Sequence, residues 1–138
     1  MVTQPSQHER LNPDTLYRGS RGYYSQIVTS HGTTQWHFAG MIALDTDRQV
    51  IGEGDMRAQS EQVMRNLGLA LEAVGATPAH VVRVNIYTTD MDRFLEEGRP
   101  AVYGFFGDSP PASTLIGVSR LADARYLVEV EATAVSFR

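Results

Sequence analysis

The pattern of apolar and polar residues near the N-terminus predicts two strands. Residues 23–29 and 34–44 are rich in aromatic and β-branched side chains, which favour extended backbone. Gly32, between them, can adopt a positive φ, so the two segments are predicted to flank a turn as a hairpin. Residues 45–54 are predicted to be a loop because aspartates and glycines cluster there.

The clearest helix is predicted at residues 55–74. Asp55 is a suitable N-cap, and Gly75 can end the helix in the left-handed conformation. Between them, apolar residues recur at spacings of three, four and seven and form one stripe. The stripe consists of Met56, Val63, Leu67, Ala70, Leu71 and Val74.

A second helical stretch is predicted at residues 91–106, and Pro100 interrupts it. Proline has no amide donor, so it is tolerated in the first turn of a helix but not in the interior. The stretch is therefore either one interrupted helix or a turn near Asp92 followed by a helix that starts around Arg99.

Three further strands are predicted at residues 80–88, 112–118 and 126–137. Side chains alternate between the two faces of a strand. In the first of these strands, Val82, Val84 and Ile86 share one face, and Arg83, Asn85 and Tyr87 share the other. In the last, Tyr126, Val128, Val130, Ala132 and Ala134 share one face, and Leu127, Glu129, Glu131, Thr133 and Val135 share the other.

The order of these elements predicts one α+β domain over residues 12–138, after a flexible tail at residues 1–11. Both helices are expected on one face of a single sheet, since each has an apolar stripe to bury. The opposite face would carry Glu129 and Glu131 beside Leu127, which is too apolar for water and too polar for a dry core. It is either a solvated face or a subunit interface with paired polar groups.

Composition then narrows the chemistry. The 138 residues include no cysteine and no lysine, which excludes disulfides, thiolate nucleophiles and lysine Schiff bases. The net charge of -4 argues against a broad nucleic-acid surface. The four histidines lack partners at metal-ligand spacing, so neither a metal nor a cofactor is expected. Without a long apolar run or a signal-peptide core, a cytoplasmic protein with no membrane partner is predicted.

Several short segments together have the order and spacing of one known family. They are residues 24–26 (YSQ), 38–45 (FAGMIALD), 54–59 (GDMRAQ), 82–91 (VRVNIYTTDM), 111–114 (PAST) and 128–132 (VEVEA). Over residues 12–137 the chain resembles the Rid family, also called the YjgF or reactive intermediate deaminase family and formerly endoribonuclease L-PSP. The resemblance implies a chorismate-mutase-like fold and homotrimers whose sheets form a central barrel.

The resemblance also implies ligand sites in clefts between subunits. The deaminases of the family hydrolyse imines and enamines there, giving a 2-keto acid and ammonia. By the same resemblance, Glu129 orients the attacking water. Tyr24, with Tyr23 as a rival, and Gly40 shape the pocket. Glu131 faces the same way as Glu129. It could share a role in the site, but a structural ion pair with an arginine explains its presence equally well.

One position departs from the deaminase pattern. Ser113 stands where the deaminases have the arginine that binds the substrate carboxylate, and with Thr114 it becomes the predicted ligand contact. Serine cannot make the planar two-bond grip of arginine, and losing two charged hydrogen bonds would cost about 100-fold or more. Arg99, Arg120 or Arg125 could instead supply a guanidinium to the cleft.

Three functions follow from these residues. The first is hydrolysis of small imine or enamine metabolites, with a substrate altered by Ser113. The second is a trimer that binds keto-acid-like metabolites or regulates a partner without turnover. The third, a ribonuclease or translation inhibitor, is disfavoured because the chain is acidic and shows no histidine pair for acid–base catalysis.

Overall fold

A mixed four-stranded sheet forms the centre of the fold in this computed structural model, which describes residues 7–17 and 22–138. The strands are β1 (Glu9–Leu11), β2 (Ile27–Thr29), β3 (Thr34–Met41), β4 (Val81–Thr88), β5 (Ala112–Gly117) and β6 (Val128–Ser136). The sheet order is β3-β6-β4-β5, with β4 and β5 parallel and the other pairs antiparallel. β1 and β2 form a separate antiparallel ribbon.

The first helix, α1, spans Met56–Ala73 and confirms the prediction at residues 55–74. The Asp55 carboxylate accepts a hydrogen bond from the backbone N–H of Ala58 at 3.0 Å, as an N-cap does. Gly75 follows the helix with φ +70°, the left-handed conformation that glycine adopts without strain. The predicted stripe faces the sheet, and its large members are buried. These are Met56, Val63, Leu67 and Leu71.

The second helical stretch is continuous and changes its winding at its centre. It consists of α2 (Met91–Arg93), a π-helical turn at Phe94–Gly98 and α3 (Arg99–Gly104). Pro100 lies in the first turn of α3, where its missing N–H costs little. A helix starting around Arg99 is therefore correct, and the segment before it is helical as well.

Two predictions about the strands are wrong. β2 pairs with β1 and not with β3, so residues 23–44 do not form a hairpin. β3 instead pairs with β6, along most of the length of β3. In β4, an irregularity between Val81 and Arg83 shifts the alternation, so Val81 takes the buried place predicted for Val82.

The N-terminal segment contributes to this arrangement. Of the predicted tail at residues 1–11, the first six lie outside the described residues, while Glu9–Leu11 form β1. The buried His8 ring donates from Nε2 to the carbonyl of Val135 at 2.9 Å, and its Nδ1 accepts from the backbone N–H of His31 at 3.1 Å. This contact joins the ribbon to the last strand of the sheet.

Both helical segments pack on one face of the sheet, which confirms the α+β fold class. Along β6, Val128, Val130, Ala132 and Ala134 are buried against the helices. Of the alternate residues, Glu129, Glu131 and Thr133 are only partly buried on the other face, here called the open face, while Val135 is buried. Among the described residues, no helix has the length and apolar character needed to cross a bilayer.

Candidate functional site

A cavity of about 390 Å³ lies beside the edge strand β5 and contains three of the predicted site residues. Tyr24, Ser113 and Thr114 all line it. The helical segment supplies Leu95, Arg99 and Tyr103 to the same cavity, and the remaining lining residues are Tyr17, Tyr23 and Leu115. This cavity, named the tyrosine cavity below, combines aromatic walls with one guanidinium.

Of the three arginines considered from the sequence, Arg99 is the one that reaches this cavity. Its guanidinium carbon lies 5.1 Å from the ring centre of Tyr23, within the range of a cation–π contact. Arg125 instead pairs with Asp123 at 2.8 Å, and that bond holds the pKa of Asp123 down to about 2. Arg120 donates to the carbonyl of Leu121.

Ser113 lies at the base of the tyrosine cavity. In the parallel ladder it is opposite Val84, a residue of the buried face, so its side chain points toward the helices. Its Oγ is buried, and no described group makes a hydrogen bond of ordinary length to it. The phenol of Tyr103 lies near this hydroxyl, and burial raises the pKa of that phenol.

The other two predicted site residues, Gly40 and Glu129, contact each other on a different part of the sheet. Phe38 pairs with Ala132 and Met41 with Val130, so β3 has an extra residue between Phe38 and Met41, the segment that contains Gly40. Such a bulge commonly re-aims side chains near a functional site. A Cβ atom on Gly40 would lie 2.0 Å from Glu129 Oε1. The carboxylate of Glu129 therefore occupies the space that glycine leaves free.

The environments of the two neighbouring glutamates differ. Burial, followed by the charge of Glu131, raises the pKa of Glu129, and no described residue donates a hydrogen bond to its carboxylate. Glu131 accepts from the Tyr87 hydroxyl at 2.6 Å and from Asn85 Nδ2 at 3.0 Å, and these bonds lower its pKa. Glu131 is thus the fixed charge, and Glu129 is the carboxylate suited to exchange a proton.

A chain of hydrogen bonds connects Glu131 with the tyrosine cavity. Arg83 Nη2 donates to Asn85 Oδ1 at 3.0 Å and also to Thr114 Oγ1. Since Asn85 donates to Glu131, the network runs across β5, β4 and β6 on the open face. The partners of Glu131 are the neutral groups of Tyr87 and Asn85, and among the described residues Glu131 makes no ion pair, so the ion pair suggested by the sequence stays a prediction.

One chain does not bring all five predicted residues together. Ser113 is opposite Val84 and Glu129 is opposite Tyr87, on the two sides of β4. They are separated by three residues along β4, about 10 Å, and by two strand spacings, about 10 Å across. The predicted residues thus fall into two groups in one chain, Tyr24 with Ser113 and Thr114, and Gly40 with Glu129.

Sequence reasoning missed Leu95 and Tyr103 as cavity residues. They lie four residues before and after Arg99, a spacing that places helical side chains on one face. The sequence contains this spacing. It was not recognised because a helix break was expected at Pro100, between Arg99 and Tyr103. The described residues contain no group of three or more metal-ligating His, Cys, Asp or Glu side chains.

Replacing Glu131 with Gln is expected to lower the pKa of Glu129. The substitution removes a neighbouring negative charge, while the burial that raises the Glu129 pKa remains. A proton-accepting role of Glu129 would then persist to lower pH. NMR titration of the Glu129 carboxyl carbon in wild type and in Glu131→Gln measures this pKa directly. Glu61→Gln, on the exposed side of α1, is the control. An unchanged or higher Glu129 midpoint in Glu131→Gln would contradict the expectation.

Comparison with known proteins identifies relatives across nearly the whole chain. The family model described as Endoribonuclease L-PSP matches residues 17–136. Protein DfrA of Myxococcus xanthus is 39% identical over 116 residues, covering 83% of this chain and 86% of that protein. A protein named 2-iminobutanoate/2-iminopropanoate deaminase from Dermatophagoides farinae is 31% identical over 119 residues, covering 83% and 86%.

Solved structures give the same result. The crystal structure of YyfB from Yersinia pestis, described as a protein of unknown function of the conserved Rid family, matches with a TM-score of 0.87 at 34% identity. The match covers 93% of this chain and 98% of that one. Rv2704 from Mycobacterium tuberculosis, described as a member of the YjgF/YER057c/UK114 family, matches at 31% identity with a TM-score of 0.63, over 81% and 86%. The chain belongs to the Rid family, whose family model is described as endoribonuclease L-PSP.

Proposed function

We propose that this protein is a homotrimer that hydrolyses small imine or enamine metabolites in clefts between its subunits. The observation that carries the proposal is the state of Glu129: a partly buried carboxylate with a raised pKa and no hydrogen bond from a described residue. Such a group is suited to accept a proton from water. The relative named as an iminobutanoate and iminopropanoate deaminase supports this reaction class.

The reaction needs one base and a place for the leaving nitrogen. The oxygen of water forms a bond to the imine carbon while Glu129 accepts a proton from that water, and the electron pair of the C=N bond moves to nitrogen. Glu129 then returns the proton to nitrogen. Glu129 next accepts the proton of the carbinolamine hydroxyl and passes it to the nitrogen, so that the C=O bond forms as the C–N bond breaks and ammonia leaves. No metal or cofactor is needed for this sequence of steps.

The separation of the predicted residues supports a shared site. Glu129 lies about 14 Å from Ser113 by strand spacing, and Gly40 lies one strand further away, so a small ligand cannot contact both parts in one chain. The open face carries a hydrogen-bonded polar network in which Glu131 accepts from Tyr87 and Asn85. If three such faces meet, the Glu129 part of one subunit can lie opposite the tyrosine cavity of its neighbour.

Turnover of freshly generated imino acids tests the proposal. An amino-acid oxidase supplies the imine, and semicarbazide traps what the protein does not hydrolyse. Wild type is expected to reduce trapping, and Ser113→Arg is expected to act faster on small imino acids because it restores a bidentate carboxylate contact. Sedimentation of the same samples measures the trimer. If neither wild type nor Ser113→Arg reduces the amount of trapped imine, the proposed hydrolysis is contradicted.

A second candidate function is metabolite binding without turnover, and the serine at position 113 favours it. Loss of the family arginine weakens substrate binding in the usual orientation. Activity of Ser113→Arg alone would indicate that the fold and Glu129 are competent for hydrolysis while the natural ligand of wild type is different. Binding of keto acids by an inactive wild type would support this candidate directly.

A further inference from the structure

We propose that the tyrosine cavity binds a carboxylate with an aromatic side chain, an aromatic 2-keto acid or its imine, and that Arg99 is the carboxylate-binding cation. The inference rests on the proposed function for what happens at Glu129, but the binding itself does not depend on turnover. Four features of the cavity carry it: an unpaired cation, the helix geometry that presents it, aromatic walls and a buried hydroxyl.

The first feature is a cation without a counter-ion. Within residues 7–17 and 22–138, no carboxylate lies within ion-pair distance of Arg99. Its guanidinium is held over the ring of Tyr23, with 5.1 Å between the guanidinium carbon and the ring centre. Stacking on an aromatic face restricts the guanidinium while leaving its N–H edge free for a planar anion.

The second feature is the π-helical turn that precedes Arg99. The backbone N–H of Arg99 donates to Phe94 O, five residues earlier, so the turn contains one residue more than an α-helical turn. Gly98 permits this because a Cβ there would lie 2.5 Å from Ser60 Oγ. Such turns occur frequently at functional sites, and this one is the last turn before Arg99.

The third feature is the size and lining of the cavity. Its volume of about 390 Å³ is within the usual range for small-molecule pockets and exceeds the need of a three- or four-carbon keto acid. Tyr23 and Tyr103 contact each other with ring centres 5.0 Å apart, and Tyr24 lines another part of the cavity. Tyr17 is 77% exposed at the rim. A ligand ring would contact aromatic surface on several sides.

The fourth feature is the Ser113 hydroxyl. Ser113 Oγ is buried, and its neighbour is the Tyr103 phenol, which makes no hydrogen bond of ordinary length to it. It lies in the same cavity as Arg99. This hydroxyl has almost no exposed surface, so a keto or imine group next to a carboxylate held by Arg99 would bond to it once the side chains of Ser113 and Tyr103 turn toward the ligand. The serine that replaces the family arginine thus fits a ligand held from the helical side.

Calorimetric titration with three probes tests the proposal. Phenylpyruvate has both the ring and the carboxylate, pyruvate lacks the ring, and benzyl methyl ketone lacks the carboxylate. Phenylpyruvate is expected to bind at least about tenfold more tightly than pyruvate because of the buried ring. Arg99→Gln is expected to weaken the binding of phenylpyruvate about 10- to 100-fold and to leave the binding of benzyl methyl ketone unchanged. Arg120→Gln is the matched control and should behave as wild type.

Each result decides between the two proposals. Equal or tighter binding of pyruvate, no binding of phenylpyruvate, or an Arg99→Gln variant that binds like wild type would overturn the aromatic-carboxylate proposal. Turnover of small imino acids together with any of these results would leave the proposed hydrolysis standing. Arg99-dependent binding of phenylpyruvate with no turnover of any imine would support the ligand class and overturn the hydrolase.

Discussion

Glu129→Gln is expected to lower imine turnover by about 100- to 10,000-fold, the usual contribution of a general base. The amide has nearly the same shape as the carboxylate but cannot accept a proton from water. Because no described residue donates a hydrogen bond to Glu129, the substitution leaves no donor unpaired. The fold should therefore remain stable, and the affinity for a product keto acid should change little.

The measurement combines single-turnover kinetics with calorimetry on the same protein. Glu61→Gln, which removes a carboxylate from the exposed side of α1, controls for the change in net charge. A Glu129→Gln variant with wild-type turnover on every imine tested would exclude Glu129 as the base. A fall in affinity as large as the fall in rate would instead assign Glu129 to ligand binding.

Local signals in the sequence predict the helix α1 and the faces of the last strand. Asp55 and Gly75 flank α1 where capping rules place them, and period-two alternation separates Val128 and Val130 from Glu129 and Glu131. These features depend on neighbours within a few residues. Family resemblance supplied the arrangement of the elements, which periodicity alone leaves open.

Features that depend on distant partners were missed. β2 could pair with β1 or with β3. It pairs with β1, and no property of residues 23–29 indicates this partner. The π turn contains Gly98, where a Cβ would lie 2.5 Å from Ser60 Oγ, and Gly98 and Ser60 are far apart in the chain. For the same reason, Arg99 could be named as one of three arginines but not selected.

Gly40→Ala is expected to reduce turnover by about 100-fold while changing stability little. A Cβ at this position would lie 2.0 Å from Oε1, 2.8 Å from Cδ and 2.9 Å from Cγ of Glu129, so the side chain of Glu129 must move. It is flexible and partly exposed, which makes the movement cheap for the fold. A catalytic group displaced by about 1 Å loses about 100-fold in rate.

The double variant Gly40→Ala with Glu129→Gln separates an effect on Glu129 from a general effect on the site. If Gly40 acts only by leaving room for the carboxylate, the alanine should cost little more once Glu129 is already inactive. Gly68→Ala is the matched control, since its Cβ would meet Phe105 at an ordinary contact distance of 3.5 Å. Additive losses in the double variant would show that the bulge at Gly40 supports something other than Glu129. A loss of stability in Gly40→Ala alone would show that the bulge matters to the sheet before it matters to the site.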